Sequence, residues 1–380
     1  MELKKDSAYS RREYHDENGD FQRRPSCRFR SKPSGMRIIA LRRADIPELS
    51  QFLIGGFGVP ATSSFFSHEV LAWKYFDGPG GPSGDSVCSL IARSAGRIIG
   101  HIGMCPRHFI VSGDGTAPVS TMHAIDWLGS AAHPGSGAML MLQALATSKT
   151  QYAVGASAQA EVIFPRLGFE EKPKLTTFRK VLAPFHRLRA TGQGFFRKWA
   201  GTAKAMVSVW RTRTSPVTQT LELHSTPTFT EEIDSLQRQS SLRVVTCQRD
   251  HLLLNYFLRF PLSGFSGWTI HTSQRMIGFA VLRITLHGRI QLGKIVDCWL
   301  DTEDPSYWRS AVAAIVERLR ALSADDVTCY ATSPSLHAAL LWNGFTKWEE
   351  RNVYVRDKEQ SLPRDLPFGF SMLDADGAIL

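Results

Sequence analysis

Apolar and polar positions between Met36 and Leu182 follow two periods, and their order predicts a mixed α/β fold. Alternation or short apolar runs predict strands at MRIIALR, SVCSLIARS, RIIGHIGM, APVSTMHAIDWL, QYAVGAS and TTFRKVL. Apolar spacings of three and four predict helices at ADIPELSQFL, SHEVLAWKYF, AMLMLQALATSK and AEVIFPRLGF. The predicted order is β α α β β β α β α β, with a turn between the second and third strands at Ser94–Gly96.

Several short segments recur in the same order in the second half of the sequence. Arg97–Gly100 returns as Arg275–Gly278, and LAWKYF at 71–76 returns as LLLNYF at 252–257. Other pairs are the strand segments HAIDW and IVDCW, Ser157 and Ser333, and Gly168-Phe169 and Gly344-Phe345. Ordered recurrence of this kind is typical of an internal repeat, and we interpret it as the tandem duplication of one α/β domain.

The repeat and the composition along the chain predict five segments. Residues 1–35 are rich in charge, lack apolar periodicity and are expected to form a disordered tail. The repeated domains are predicted at 36–182 and 228–357, joined by a linker at 183–227 and followed by a C-terminal tail at 358–380.

Composition narrows the class of protein. The 380 residues are 43% hydrophobic and 21% charged, as expected of a globular protein, and no apolar run is long enough to span a membrane. The opening residues lack the apolar core of a secretory signal. The six cysteines are widely separated without a Cys-x-x-Cys pair, so neither a disulfide framework nor a metal site is predicted. A cytoplasmic location fits these features.

The net charge of +10 is concentrated in one segment. Residues 172–220 contain eleven Lys or Arg and no Asp or Glu, so the rest of the chain sums to about −1. This distribution does not support a general nucleic-acid-binding surface. Within the segment, apolar residues share one predicted helical face: Phe195, Trp199, Met206 and Trp210. Such a helix is either a peripheral contact with an anionic membrane or a brace packed between the two domains.

The ordered motifs resemble those of the GNAT (N-acetyltransferase) acyltransferase superfamily. The resemblance rests on the Arg97–Gly100 hairpin turn, the strand TMHAIDWL, the loop HPGSGAML that opens a helix, and Ser157–Phe169 with its Leu-Gly-Phe ending. It implies two tandem GNAT-like α/β domains, each a mixed sheet flanked by helices, and it implies acetyl-CoA or another acyl-CoA as co-substrate.

The glycine-rich loop is the candidate cofactor site. Glycine permits tight turns, and amides at a helix N-terminus bind anionic oxygens, so this loop has the properties required to hold the CoA pyrophosphate. The candidate contacts are Trp127, Leu128, Gly135, Ser136, Gly137 and Ala138. The alternative is an ordinary glycine turn. The loop departs from the family pattern because Ala132 or Pro134, depending on the register, stands where the family has Gln or Arg. The second repeat carries Asp301, Glu303 and Asp304 at this place and is predicted to have lost the site.

Acyl transfer to an amine requires the amine to be neutral, so a base must take its proton. The candidates are Asp126, His123 and Ser157. Asp126 and His123 are three residues apart and would lie on opposite faces of a regular strand. A structural role is the alternative for each, and for Ser157 that role is a helix cap matched by Ser333. Phe164 occupies the position where family members commonly have a tyrosine acid.

The sequence therefore predicts an acyltransferase that moves an acetyl or acyl group from CoA to an amine or hydroxyl of a small acceptor. The C-terminal LPFGFSMLDADGAIL looks like the endings of tandem acyltransferase-like proteins of surface-polysaccharide pathways, so an amino-sugar precursor is the first acceptor hypothesis. The alternative is a non-catalytic scaffold or partner-binding protein built on a degenerate acyltransferase fold.

Overall fold

The computed structural model describes residues 35–78, 88–186 and 219–379. Within these ranges the chain forms fourteen strands. They are β1 (Arg37–Ala40), β2 (Ser89–Ser94), β3 (Arg97–Val111), β4 (Val119–Gly129), β5 (Thr150–Val154), β6 (Glu170–Val181), β7 (Glu222–Thr226), β8 (Val245–Cys247), β9 (Phe265–His271), β10 (Met276–His287), β11 (Ile290–Leu300), β12 (Asp326–Ala331), β13 (Thr346–Asp357) and β14 (Phe368–Gly369).

The described α-helices flank this sheet. They are α1 (Ile46–Phe57), α2 (His68–Phe76), α3 (Ser136–Thr147), α4 (Ala158–Ile163), α5 (Glu232–Arg238), α6 (His251–Leu258), α7 (Pro305–Ala321) and α8 (Pro334–Trp342). The predicted order β α α β β β α β α β is confirmed from β1 to β6. The second half repeats it from β7 to β13, except that β8 lies between α5 and α6. No helix in the described ranges is long and apolar enough to cross a bilayer.

All fourteen strands belong to one mixed sheet with the order β1-β2-β3-β4-β5-β13-β6-β12-β11-β10-β9-β7, while β8 joins β3 to β14. The final strands of the two halves are exchanged. β6 lies between β12 and β13, with Phe178 opposite Cys329, and β13 pairs with β5, with Tyr354 opposite Ala153. Each half therefore completes the sheet of the other.

Apolar side chains cover both faces of the central strands. In β3 every residue from Ile98 to Cys105 is buried, with Cys105 packed toward α1 and α2, and Ile102 and Met104 packed toward α3. Helices α2 and α6, which carry the repeated LAWKYF and LLLNYF segments, pack directly together. The ring of Trp73 stacks on that of Tyr256, with centroids 4.1 Å apart and planes 2° from parallel.

The segment after Asp357 returns to the interior. Phe368–Gly369 pairs in parallel with Val245–Thr246 of β8, and Met372, Leu373 and Ala378 are buried in the core beside α1 and α2. This segment, treated in the sequence as a C-terminal tail, is thus integrated into the fold through Ile379. The predicted N-terminal tail up to Ser34 and the aromatic residues of the linker (Phe195, Trp199, Met206 and Trp210) lie outside the described residues.

Candidate active site

Strands β4 and β5 separate near the middle of the first half and create an opening. They are hydrogen-bonded in parallel over only two pairs, Met122 with Gln151 and His123 with Tyr152. Beyond His123, β4 continues to Gly129 paired with β3, and its other edge has no partner strand among the described residues. Ligands of open α/β sheets bind where strands diverge at their carboxyl ends, so this opening is the candidate active site.

A β-bulge at Asp126 shapes the edge of the opening. Asp126 has a φ of +47°, and it and Trp127 together lie opposite Ile102. The buried ring of His101 holds this backbone, because Nδ1 lies 2.9 Å from the Asp126 carbonyl and Nε2 lies 2.8 Å from the Ser89 hydroxyl. Burial lowers the pKa of His101 to about 4. The ring is therefore neutral, donates from Nδ1 and accepts at Nε2.

The carboxylate of Asp126 forms a buried ion pair. Its Oδ2 lies 2.8 Å from Nζ of Lys74 and accepts a 2.5 Å hydrogen bond from the Tyr75 hydroxyl. Burial opposes both charges, but the attraction between them prevails: the pKa of Asp126 is lowered and that of Lys74 is raised. Since the Asp126 side chain has no exposed surface, this carboxylate organises the site rather than facing the opening.

Asp376 of the C-terminal segment approaches the same lysine. Its Oδ1 lies 3.7 Å from Nζ of Lys74, and one fifth of its side chain is exposed. Burial raises the pKa of Asp376 to about 6, with Lys74 opposing the shift and Asp126 adding to it. Asp376 lies beyond the repeated domains, in the predicted C-terminal tail, and is not among the predicted catalytic residues.

His123 lies at the last β4–β5 pair, where the opening begins. Its ring stacks on that of Tyr152, with centroids 4.5 Å apart and planes 1° from parallel. Burial, together with Arg107 and Lys74 nearby, holds the pKa of His123 well below its usual range, so the ring is neutral. The sequence expectation that His123 and Asp126 lie on opposite faces is wrong. The bulge begins at Asp126 itself, whose positive φ turns its carboxylate toward Lys74 of α2, so that it shares the α2-covered face of β4 with His123.

The candidate cofactor loop retains two free amides at the start of α3. The Ser136 amide donates to the carbonyl of His133, and its hydroxyl donates to that of Ile99. The amides of Gly137 and Ala138 have no acceptor within the described ranges. Of the six predicted contacts, these two N–H groups and that of Gly135, which also has no acceptor in the described ranges, are available to an anion.

Small residues and aromatic packing hold this helix start against β4. A Cβ on Gly129 would lie 2.7 Å from the amide nitrogen of Gly137, so only glycine permits this approach. The indole of Trp127 donates a 2.8 Å hydrogen bond to the Gly137 carbonyl. Leu128 packs against α1, where a Cβ on Gly56 would lie 2.2 Å from its Cδ2. Trp127 thus supports the loop, whereas Leu128 packs on α1.

Ser157 and Phe164 occupy structural positions. The Ser157 hydroxyl accepts a hydrogen bond from the Ala160 amide at the start of α4, and Ser333 accepts one from Leu336 at the start of α8. The helix-cap alternative therefore describes both serines. Phe164 is buried between Trp127 and Tyr354. No hydroxyl group stands at the Phe164 position.

In the second half, side chains of the protein itself occupy the positions equivalent to the Asp126 ion pair and to the start of α3. Asp297, the counterpart of Asp126, accepts a 2.6 Å hydrogen bond from Nε of Arg249, which also binds Asp374 of the C-terminal segment. At the start of α7, the Asp304 carboxylate accepts from the Ser306 amide at 2.8 Å. A carboxylate thus takes the helix-start amide that an anionic ligand would need.

Solved structures with a similar fold have low sequence identity to the chain. A GCN5-related N-acetyltransferase from Anabaena variabilis has a TM-score of 0.55 at 13% identity, over 85% of this chain and 73% of that one. The N-myristoyltransferase of Saccharomyces cerevisiae with bound myristoyl-CoA has a TM-score of 0.57 at 10% identity, over 85% and 83%. A GCN5-related N-acetyltransferase from Kribbella flavida has a TM-score of 0.51 at 12% identity, over 84% and 70%.

No protein-family model matches the sequence, and no curated protein matches it. The structural neighbours nevertheless share the fold over 84% to 85% of the chain. The chain therefore has the fold of the GCN5-related N-acetyltransferase (GNAT) superfamily.

Proposed function

We propose that the protein transfers an acetyl or longer acyl group from CoA to an amine or hydroxyl of a small acceptor. The observation that carries the proposal is the opening between β4 and β5. A free strand edge and the free amides of Gly137 and Ala138 lie at the same end of the sheet. A strand edge pairs with amide groups of a ligand, and a helix start binds phosphate oxygens. CoA carries both chemical groups in one molecule, and a structural neighbour binds myristoyl-CoA.

The reaction forms a bond between the acceptor nitrogen and the thioester carbonyl carbon, and it breaks the carbon–sulfur bond. The acceptor proton must go to a base. Asp376, found only in the structure, combines partial exposure with a pKa raised to about 6, which suits a general base near neutral pH. In this proposal Lys74 positions Asp376, and Asp126 keeps Lys74 charged and in place.

The leaving thiolate has no acid at the Phe164 position. A CoA thiol resembles a free cysteine, whose pKa is about 8.5, so it departs without protonation more readily than an alkoxide would. We therefore expect slow but measurable transfer.

Two measurements test the proposal. Calorimetric titration with acetyl-CoA and myristoyl-CoA should give saturable binding and identify the preferred chain length. Thiol release should then depend on an acceptor from a panel of amines, alcohols and amino sugars. No binding of either thioester would refute the donor assignment.

A non-catalytic scaffold is the second candidate function. The observations in its favour are the buried phenylalanine at position 164 and the lack of Gln or Arg at positions 132 and 134. If the protein binds CoA but releases no thiol with any acceptor of the panel, this alternative is established.

The amino-sugar precursor remains a prediction, and glucosamine in the acceptor panel tests it. The membrane contact through Phe195, Trp199, Met206 and Trp210 also remains a prediction, with the domain brace as its alternative. Co-sedimentation with anionic and neutral vesicles over a salt series separates the two, because only membrane binding depends on lipid charge and weakens with salt. The cytoplasmic location is likewise still a prediction.

A further inference from the structure

Four polar side chains meet on the sheet face covered by α2, and we call them the Arg107 cluster: Arg107, Thr121, His123 and Tyr152. Arg107 of β3 lies opposite Thr121 of β4, and His123 of β4 pairs with Tyr152 of β5. Residues opposite each other on neighbouring strands, and residues two apart on one strand, share a face of the sheet. The four side chains therefore form one continuous patch at the base of the β4–β5 opening.

The cluster has unused hydrogen-bonding capacity. Thr121 is completely buried and its hydroxyl has no partner. Tyr152 is also completely buried, and the one hydrogen-bonding group that its hydroxyl meets in the described ranges is the thiol of Cys247, a weak partner. His123 stacks its ring on Tyr152, and neither of its nitrogens has a partner within the described ranges. Buried polar groups are nearly always hydrogen-bonded, so this concentration indicates a place for a ligand.

The cluster also carries one uncompensated positive charge. The Arg107 guanidinium donates a 3.0 Å hydrogen bond to the carbonyl of Pro106, and no carboxylate of the described chain pairs with it. By contrast, Lys74 and Arg249 each face two carboxylates. The groups around Arg107 are neutral, since burial raises the pKa of Cys105 to about 12 and that of Tyr152 well above its usual range. Arg107 is only half-buried, so a ligand can reach it.

We propose that the Arg107 cluster binds a carboxylate group of the acceptor, so that the acceptor is an amine that also carries a carboxylate. The inference rests on the proposed acyl transfer. A guanidinium binds a carboxylate through two parallel hydrogen bonds, and the Thr121 hydroxyl and the His123 ring supply further donors. One uncompensated cation matches a monoanion, whereas a phosphate dianion would retain a second unpaired charge. Because His123 lies where β4 and β5 separate, the bound carboxylate places the acceptor next to the opening.

Direct binding of acetate tests the cluster without any turnover. Sodium acetate is titrated against the protein at constant ionic strength with chloride, and binding is followed by the rise in Tm and by NMR. Arg107→Gln should weaken acetate binding about tenfold or more, as expected for loss of a charged hydrogen-bond pair. Arg97→Gln, which removes a charge from an exposed turn, is the control and should leave it unchanged. Equal acetate affinity in the wild type and the Arg107 variant overturns the inference.

Thr121→Val provides a second variant in case Arg107→Gln does not fold. Valine has nearly the shape of threonine, and it removes a buried hydroxyl without a partner, so the free protein should gain thermal stability. Acetate binding should weaken about threefold to tenfold, since one hydrogen bond is lost. A structural role for Thr121 predicts the reverse, with lower stability and unchanged acetate affinity, and this result also overturns the inference.

Turnover distinguishes failure of this inference from failure of the proposed function. Thiol release from acetyl-CoA is measured with glycine, alanine, phenylalanine and glutamate against their α-amides. The carboxylate forms should have the higher kcat/KM, and Arg107→Gln should remove the difference. Transfer to the amides alone overturns the carboxylate site and retains acyl transfer. Arg107-dependent acetate binding without any thiol release retains the anion site and refutes acyl transfer.

Discussion

Lys74 on α2 and Asp126 on β4, 52 residues apart in the sequence, form a buried salt bridge of 2.8 Å with 2% and 0% of their side chains exposed. The bridge ties the helix to the bulge that shapes the edge of the β4–β5 opening. In the second half, Asp297 has the equivalent position but is paired with Arg249, which precedes α6. The duplicated element is the acid on the strand, and each half supplies its cation from a different place.

Removing the lysine should strongly destabilise the protein. Lys74→Met leaves the Asp126 carboxylate buried without a cation, and breaking a buried pair in this way costs about 3–5 kcal/mol. The double variant Lys74→Met/Asp126→Asn should recover part of the loss because it removes the stranded charge. Urea unfolding monitored by circular dichroism measures both free energies. A double variant less stable than Lys74→Met would contradict this account.

CoA binding should respond differently to an aspartate at the two equivalent helix starts. A Cβ at Gly137 makes ordinary contacts at 3.4 Å with Trp127 and 3.5 Å with Gly129, so Gly137→Asp should fold. The added charge should abolish acetyl-CoA binding in calorimetry. Pro305→Asp adds the same charge to an exposed position at the start of α7 and is the matched control. Equal losses of acetyl-CoA binding from both changes would show that the two helix starts do not differ in the proposed way.

The general-base assignment makes a pH-dependent prediction. Because the pKa of Asp376 is about 6, kcat/KM should rise as the pH increases through 6 and then level off. The measurement needs an acceptor whose own amine titrates outside this range. Asp376→Asn should lower turnover about 10²-fold or more and remove the pH 6 limb. A limb that persists in this variant would exclude Asp376 as the base.

Asp376 should also affect stability, with a defined sign. Its pKa in the folded protein is above the ordinary aspartate value of about 3.9, so ionisation favours the unfolded chain. Stability should therefore decrease as the pH rises from about 4 to 6. Asp376→Asn should be more stable than the wild type at neutral pH, as measured by the Tm. If Asp376→Asn is more stable than the wild type but less active, its loss of activity is catalytic and does not come from misfolding.

The exchanged strands predict that neither half folds alone. Phe178 of β6 is completely buried beside β12, so in an isolated 35–186 fragment this apolar strand would lack its partners. Residues 35–186 and 219–380 should each lack a cooperative unfolding transition when expressed separately. Co-expressed, they should purify as a complex with one transition. Independent cooperative folding of either fragment would show that the exchange of β6 and β13 is not required for folding.

The local elements were predictable because their signals lie within a few residues of one another. Apolar periodicity predicted the order from β1 to β6, and Ser157 and Ser333 cap their helices, which was the alternative to a catalytic role for Ser157. Asp376 and Arg107 gave no comparable signal. The significance of each depends on partners brought close by the fold: Lys74 for Asp376, and Thr121 and His123 for Arg107. The bulge was also unpredictable, because an aspartate with a positive φ has no distinct sequence pattern.

Local patterns along the chain were sufficient to predict the α/β class, the repeated segments and the glycine-rich loop, since periodicity, helix caps and glycine turns act over short distances in sequence. Tertiary structure decided which sheet each final strand joins. β6 and β13 have the same length of 12 residues, and strand pairing depends on contacts between residues far apart in sequence, so local patterns do not assign either strand to its partner. It also decided the chemistry of the opening. Burial and neighbouring charges set the protonation of His123, Asp126 and Asp376. This burial and these close charges exist only when the two halves and the C-terminal segment pack together.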